Sequence, residues 1–320
     1  MTPMMNRRQA LATGALAVGT VVSAVDAAPR RPKRSEQEPF GYCFNTSTVR
    51  GQKLAFDEQV ELTARAGYDA IEPWIRDIQA FVDKGGNLDK IRSRIEELGI
   101  TVESAIGFAN WIVDDDQKRA DALEVARRDM KLVKAIGGTR IAAPPAGATN
   151  QEGLDLFKAA ARYRDLLEVG KQEGVTPQLE LWGFSKSISR LGELMFVAVE
   201  SGHPDACMLL DIYHIYKGGS DFQGLELINS KRVHVFHVND YPAEPPRETI
   251  SDAERVHMGD GVAPTSMILQ TIYKNGFRGM LSLELFNRTY WEQDALEVAR
   301  TGLEKMRASV RKAMADQGAR

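Results

Sequence analysis

The sequence predicts an α/β fold, a (β/α)8 TIM barrel in a single domain. Short apolar or β-branched runs alternate with segments of helical period eight times after Phe40. Together they span about 275 residues, close to the roughly 250 of such barrels, and alternating βα units imply a parallel sheet. Glycine repeatedly closes the helical segments, as at Gly67, Gly99 and Gly137-Gly138, where a left-handed residue ends a helix most easily. The rival is a doubly wound sheet, which usually carries a glycine-rich turn after its first strand. Here that turn reads Phe44-Asn45-Thr46-Ser47, and no dinucleotide or phosphate-loop fingerprint occurs anywhere.

The elements follow in order. Residues 41–45 form the first predicted strand and 56–66 an amphipathic helix; 70–74 and 88–98 make the second unit. Strand 101–108 precedes a long helix over 117–136, and strand 139–143 leads through a Pro-Gly loop to helix 154–173. Strand 176–181 precedes helix 188–200, and strand 206–212 precedes a short glycine-flanked helix around Leu225. Strand 233–239 is followed by a long polar loop and helix 265–275, and strand 280–286 by helix 294–315. These units place the barrel at residues 40–316.

The first 27 residues read as an address label. Asn6-Arg7-Arg8-Gln9-Ala10-Leu11 opens an uncharged Ala- and Gly-rich run that reaches Val25, with small residues around Ala27. That pattern is expected of a twin-arginine (Tat) export signal and a periplasmic mature protein. Residues 28–39 are proline-rich and charged, and read as a disordered linker. No other apolar run approaches the 18 or so residues of a membrane span, so no membrane partner is expected after signal cleavage. Lysine plus arginine number 41 against 44 aspartates and glutamates, a net charge of −3, which disfavours a nucleic-acid partner. Two cysteines, Cys43 and Cys207, exclude a disulfide framework and a cysteine-rich zinc site.

Side chains alternate along a strand, so parity separates barrel-facing from helix-facing positions. One face collects Gln178, Glu180 and Trp182 in the fifth strand, and Cys207, Leu209, Asp211 and Tyr213 in the sixth. In the seventh and eighth it collects Val235, His237 and Asn239, then Met280, Ser282, Glu284 and Phe286. Four consecutive strands thus each bring one metal-competent ligand inward near the C-terminal end, where barrel active sites lie: Glu180, Asp211, His237 and Glu284. Three carboxylates gathered in one interior repel one another unless a cation joins them. The set therefore predicts one divalent metal; three oxygen donors and one nitrogen suit Mn²⁺, Mg²⁺ or Co²⁺, and Zn²⁺ also fits.

The segments Leu179-Glu180-Leu181, Leu210-Asp211-Ile212-Tyr213-His214, His237-Val238-Asn239-Asp240 and Leu283-Glu284-Leu285 resemble the xylose isomerase-like TIM-barrel superfamily of sugar isomerases and epimerases. The stretch from Asp252 to Gly261, with Arg255, Val256, Gly259 and Gly261, is similar to a loop of inosose isomerase-like and ketose 3-epimerase-like members. The resemblance implies that Glu180, Asp211, His237 and Glu284 bind one metal, and that His214 and Arg255 contact the substrate. It departs at Ser104-Ala105-Ile106-Gly107, which lacks the histidine of some relatives, and at Met258, where proline is usual.

Four tryptophans, Trp74, Trp111, Trp182 and Trp291, follow predicted strands. The first three are expected to line the pocket, where indole faces pack on sugar C–H surfaces, and His257 is a further substrate-loop candidate. Glu72 is read either as a hydroxyl binder or as a partner of Arg76. No inward lysine offers a Schiff base, and Asn287-Arg288-Thr289-Tyr290 is not a glycine-rich phosphate clamp. The expected function is a metal-dependent isomerase or epimerase of a non-phosphorylated keto-sugar or keto-cyclitol acting through an enediolate, with Glu180 and Glu284 as the acid/base pair. Alternatives are a lyase or dehydratase of a 3-keto-glycoside or dehydroshikimate-like acid, and a non-catalytic exported sugar-binding protein. A homo-oligomer is compatible with either enzyme.

Overall fold

The computed structural model describes residues 35–318. The Tat-type signal and most of the linker expected at residues 1–27 and 28–39 lie outside the described residues. Eight parallel strands form the centre: β1 (Gly41–Asn45), β2 (Ala70–Glu72), β3 (Thr101–Val102), β4 (Arg140–Ala143), β5 (Thr176–Glu180), β6 (Met208–Asp211), β7 (Val233–Val238) and β8 (Met280–Leu283). Their ladder runs β3-β2-β1-β8-β7-β6-β5-β4. Its two ends are joined through Ala105, whose N–H donates to Arg140 O at 3.2 Å and whose carbonyl accepts from Ala142 N at 2.8 Å. The barrel therefore closes through a short third strand that continues irregularly, rather than through the full 101–108 run predicted.

The interior is a ring in which Cys43, Ala70, Ala142, Leu209, Val235 and Met280 of six strands pack together with Ile106, in the irregular continuation of β3, and with Trp74. Gln178 of β5 completes the ring, donating to Ser104 Oγ at 3.0 Å. This is the face parity predicts. The opposite face, with Leu179, Leu210, Phe236, Leu281 and Leu283, packs outward in the main apolar core.

The helices are α1 (Phe56–Ala66), α2 (Ile75–Asp83), α3 (Leu88–Glu97), α4 (Asp116–Ala135), α5 (Leu156–Glu173), α6 (Leu191–Glu200), α7 (Ile212–Gly218), α8 (Thr265–Lys274), α9 (Arg288–Trp291) and α10 (Ala295–Gly318). Helix α2 is not anticipated, because Pro73-Trp74 ends the apolar run of β2 and the segment looks like loop. Its only fully buried residue is Ile78. Helix α7 also differs from expectation. Strand β6 stops at Asp211, whose carboxylate caps the next helix by accepting from His214 N at 2.9 Å. Tyr213, grouped with the inward strand positions, therefore sits on a helix. An aspartate side chain can satisfy the orphan N–H groups of a first turn, which is how chain direction changes abruptly here. The segment around Leu225 is a 3-10 turn, Phe222–Leu227. Among the described residues no helix is long and apolar enough to cross a membrane.

Candidate active site

The C-terminal ends of the strands surround a pocket of about 170 Å³ lined by Glu180, His214, Asp252, Arg255 and Glu284, with Trp74, Ile106, Phe108, Trp182, Phe184 and Phe286. Strand ends position its chemistry. Asn45 closes β1, Glu72 closes β2, Glu180 closes β5 and Asp211 closes β6. His237 pairs in register with Asp211 on one side and Ser282 on the other.

His237 is fully buried, and its ring is fixed from behind. Its Nε2 lies 2.9 Å from Glu72 Oε2, an oxygen that also accepts from Ser282 Oγ at 2.7 Å and Asn45 Nδ2 at 3.0 Å. With Nε2–H donating to that carboxylate, Nδ1 points at the other acids, 3.3 Å from Glu284 Oε2 and 3.7 Å from Asp211 Oδ2. It makes no hydrogen bond there. Burial disfavours imidazolium, but the charges of Glu284 and Glu72 outweigh it and hold the His237 pKa well above its ordinary value. Glu72 therefore neither pairs with Arg76 nor faces the pocket. Its carboxylate orients the His237 imidazole, an arrangement frequent around metal centres. Arg76 instead pairs with Asp77 and lies over Trp74.

Arg255 is the central cation. Its Nη1 donates to Asp211 Oδ2 at 3.0 Å and Glu284 Oε2 at 2.9 Å. Its Nη2 meets His214 Nε2 at 3.1 Å and also pairs with Asp252. The guanidinium lies 4.3 Å from the Tyr213 ring centre and 5.0 Å from that of Phe286. Its loop is tied to the segment just after β7 by the reciprocal backbone bonds of Asp240 and Val256, both 2.9 Å. The Asp240 carboxylate accepts from the N–H groups of Tyr241, Gly259 and Ala263. A side chain at position 261 would strike Tyr241 O and Asp240 Oδ1, which explains that glycine.

The titrations follow from this geometry. Burial alone would raise the Asp211 pKa, but Arg255, with His214 and His237, holds it down at about 2. Asn239 Nδ2 supports the same carboxylate, 3.2 Å from each oxygen. Glu180 is pushed up to about 8 by burial and by the Glu284 and Asp211 charges, against the opposing pull of His237. Burial and the Arg255 charge lower the His214 pKa, so that ring is neutral at pH 7.

The donor set fits a divalent ion. Two carboxylate oxygens already flank a cationic nitrogen at hydrogen-bond distance, while His237 Nδ1 and Glu180 Oε2 are buried without a hydrogen-bond partner. Ligand atoms of Asp211, His214 and Glu284 also lie within 4.8 Å of one another. Arg255 and a metal ion would compete for the same oxygens.

Two expected substrate contacts lie elsewhere. Trp111 is buried, donates from Nε1 to Pro144 O at 2.8 Å and packs against Tyr163 under α5. His257 stacks on Tyr290, with ring centres 4.4 Å apart, and is buried beside α10. Loop direction, which local pattern does not carry, turns both away from the pocket. Trp74 and Trp182 do line it. Asn45, Asn239 and Ser282 escaped the sequence reading as site residues, although strand parity already turns the last two inward. Asp252 opens the loop already singled out by resemblance, which gives it no role of its own, and Phe108 and Phe184 leave no comparable signal.

Barrel and site together define a (β/α)8 protein with an acidic, histidine-containing centre at the strand C-termini. The xylose isomerase-like TIM barrel family matches residues 60–309, and the chain belongs to that family. It is 24% identical over 276 residues to an inosose isomerase of Bacillus velezensis, covering 84% of this chain and 97% of that one. It is 22% identical over 254 residues to a 3-dehydroshikimate dehydratase of Pseudomonas putida, covering 78% of this chain but 39% of that longer protein. A crystal structure of IOLI protein with a binding zinc atom superposes with a TM-score of 0.79 at 20% identity, over 86% of this chain and 99% of that one.

Proposed function

We propose that the protein is a metal-dependent isomerase or epimerase of a non-phosphorylated keto-sugar or keto-cyclitol, exported through the Tat pathway to the periplasm. The observation that carries this reading is the convergence of Asp211, Glu284 and the partnerless Nδ1 of His237 beside a third carboxyl, Glu180, of shifted pKa. Glu180, Asp211, His237 and Glu284 would hold a divalent ion, which would supply Lewis acidity toward a substrate carbonyl and so acidify the C–H beside it. Glu180 closes β5 and Glu284 directly follows β8, with β6 and β7 between them in the ring of strands, so a proton removed by one carboxylate can be returned by the other. Neutral His214 offers an acceptor or donor to a substrate hydroxyl. Arg255, anchored by Asp252, stabilises negative charge developing on a substrate oxygen. Similarity to the inosose isomerase supports this chemistry.

The dehydratase relative supports a second reading, in which the same proton removal expels a leaving group β to the carbonyl. The deciding experiment incubates metal-loaded protein with inososes and ketohexoses in D₂O. Deuterium entry at the carbon beside the carbonyl supports the isomerase reading, and an enone chromophore replaces it with a lyase. Tight binding without either makes the protein a sugar binder.

A further inference from the structure

The pocket floor is charged, but its mouth is a wall of rings. From Phe286 the wall runs to Trp74 (centres 6.1 Å apart), to Phe108 (5.1 Å), to Trp182 (5.8 Å) and to Phe184 (5.1 Å, stacked). Phe108 and Phe184 line the pocket and yet are 42% and 43% exposed. Large apolar side chains left in water together, rather than singly, mark a binding surface. The pocket itself, at about 170 Å³, is well below the roughly 300–1,000 Å³ of ordinary ligand sites. It takes about one six-membered ring.

A free cyclitol or monosaccharide would fill that floor and leave the outer rings idle. We infer that the substrate is a keto-sugar ring bearing an aromatic substituent, the sugar on the carboxylate floor and the aryl group against Phe108, Trp182 and Phe184. Phe108 and Phe184 present no hydroxyl or amide, so they suit an aryl face better than a second sugar, whose hydroxyls would lose water without new partners. This inference rests on the catalytic reading for the identity of the floor but not for the rim.

The test uses metal-loaded full-length protein and two non-reacting probes, 4-nitrophenyl β-D-glucopyranoside and methyl β-D-glucopyranoside, with binding followed by calorimetry. The aryl glucoside is expected to bind at least about tenfold more tightly, the size of effect that aromatic packing provides. The double variant Phe108→Ala/Phe184→Ala should erase that preference while keeping metal affinity and cooperative unfolding. Equal affinity of the two probes, no binding of the aryl glucoside up to millimolar concentration, or a preference that survives in the double variant would overturn the inference. Tighter binding of cellobiose than of the aryl glucoside would overturn it too, giving the rim to a second sugar. Deuterium exchange is scored separately. Aryl preference without exchange into any ketone counts against the catalytic reading and leaves the rim assignment standing.

Discussion

Replacing Arg255 by methionine tests the charge logic of the centre most directly. The guanidinium is buried and bonded to Asp211, Glu284, His214 and Asp252. Methionine keeps much of the length and the contact with Tyr213 but leaves Asp211 and Glu284 with only the His237 ring between them in place of two cations. Removing one partner of a buried ion pair costs about 3–5 kcal/mol. At about 2 °C per kcal/mol for a chain of this size, the metal-free variant should melt roughly 6–10 °C below the metal-free parent. Metal reverses the sign of the comparison, because Arg255 no longer competes for the two oxygens. Affinity for Mn²⁺ or Zn²⁺ should rise, and saturating metal should recover most of the lost stability through binding to the folded state alone. Calorimetric titration and thermal unfolding, each with and without chelator, read both effects. A variant whose metal-free stability and metal affinity both match the parent would refute the competition between guanidinium and metal.

Other consequences follow from single contacts. Glu284→Gln removes a ligand and a proton carrier together, so metal affinity should fall and turnover drop by about 10²–10⁴-fold, measured by equilibrium dialysis and D₂O exchange. Glu72→Gln leaves the pocket untouched but loosens the tautomer and orientation of His237; metal affinity should drop by about 10–100-fold, and an unchanged affinity would remove Glu72 from the site. Asp129, half-buried on α4, has its pKa pushed up to about 6 by burial. A carboxyl raised in the folded state binds its proton more tightly there, so its penalty is absent below the unfolded pKa of about 3.9 and complete above the folded one. Asp129→Asn should therefore stabilise the protein at pH 7–8 by about 1–2 kcal/mol after allowance for solvent screening, and by nothing near pH 3. Denaturant titrations across that range check the sign. Arg7→Lys/Arg8→Lys should leave the protein in the cytoplasm, read by cell fractionation; normal export would refute the Tat assignment.

Periodicity and parity are local properties, and they were legible in the sequence. Alternation along β5 to β8 was enough to turn Glu180, Asp211, His237 and Glu284 inward, because a strand offers each side chain only two directions. Alternating strands and helices likewise fixed the barrel class. Even the capping role of Asp211 lay in the spacing to His214, although the apolar run concealed the helix beginning there. What crosses the barrel was not legible. Glu72 supports His237 because curvature brings β2 opposite β7, and nothing near either residue announces it. The seat of Arg255 between Asp211 and Glu284 depends on a long loop pinned by Asp240, and the turns of Trp111 and His257 away from the pocket depend on loops packed by distant helices. The sequence by itself determined which residues could face one another. Tertiary structure decided which of them meet, because hydrogen bonds and charges act through space over a few ångströms while sequence pattern reports only neighbours along the chain.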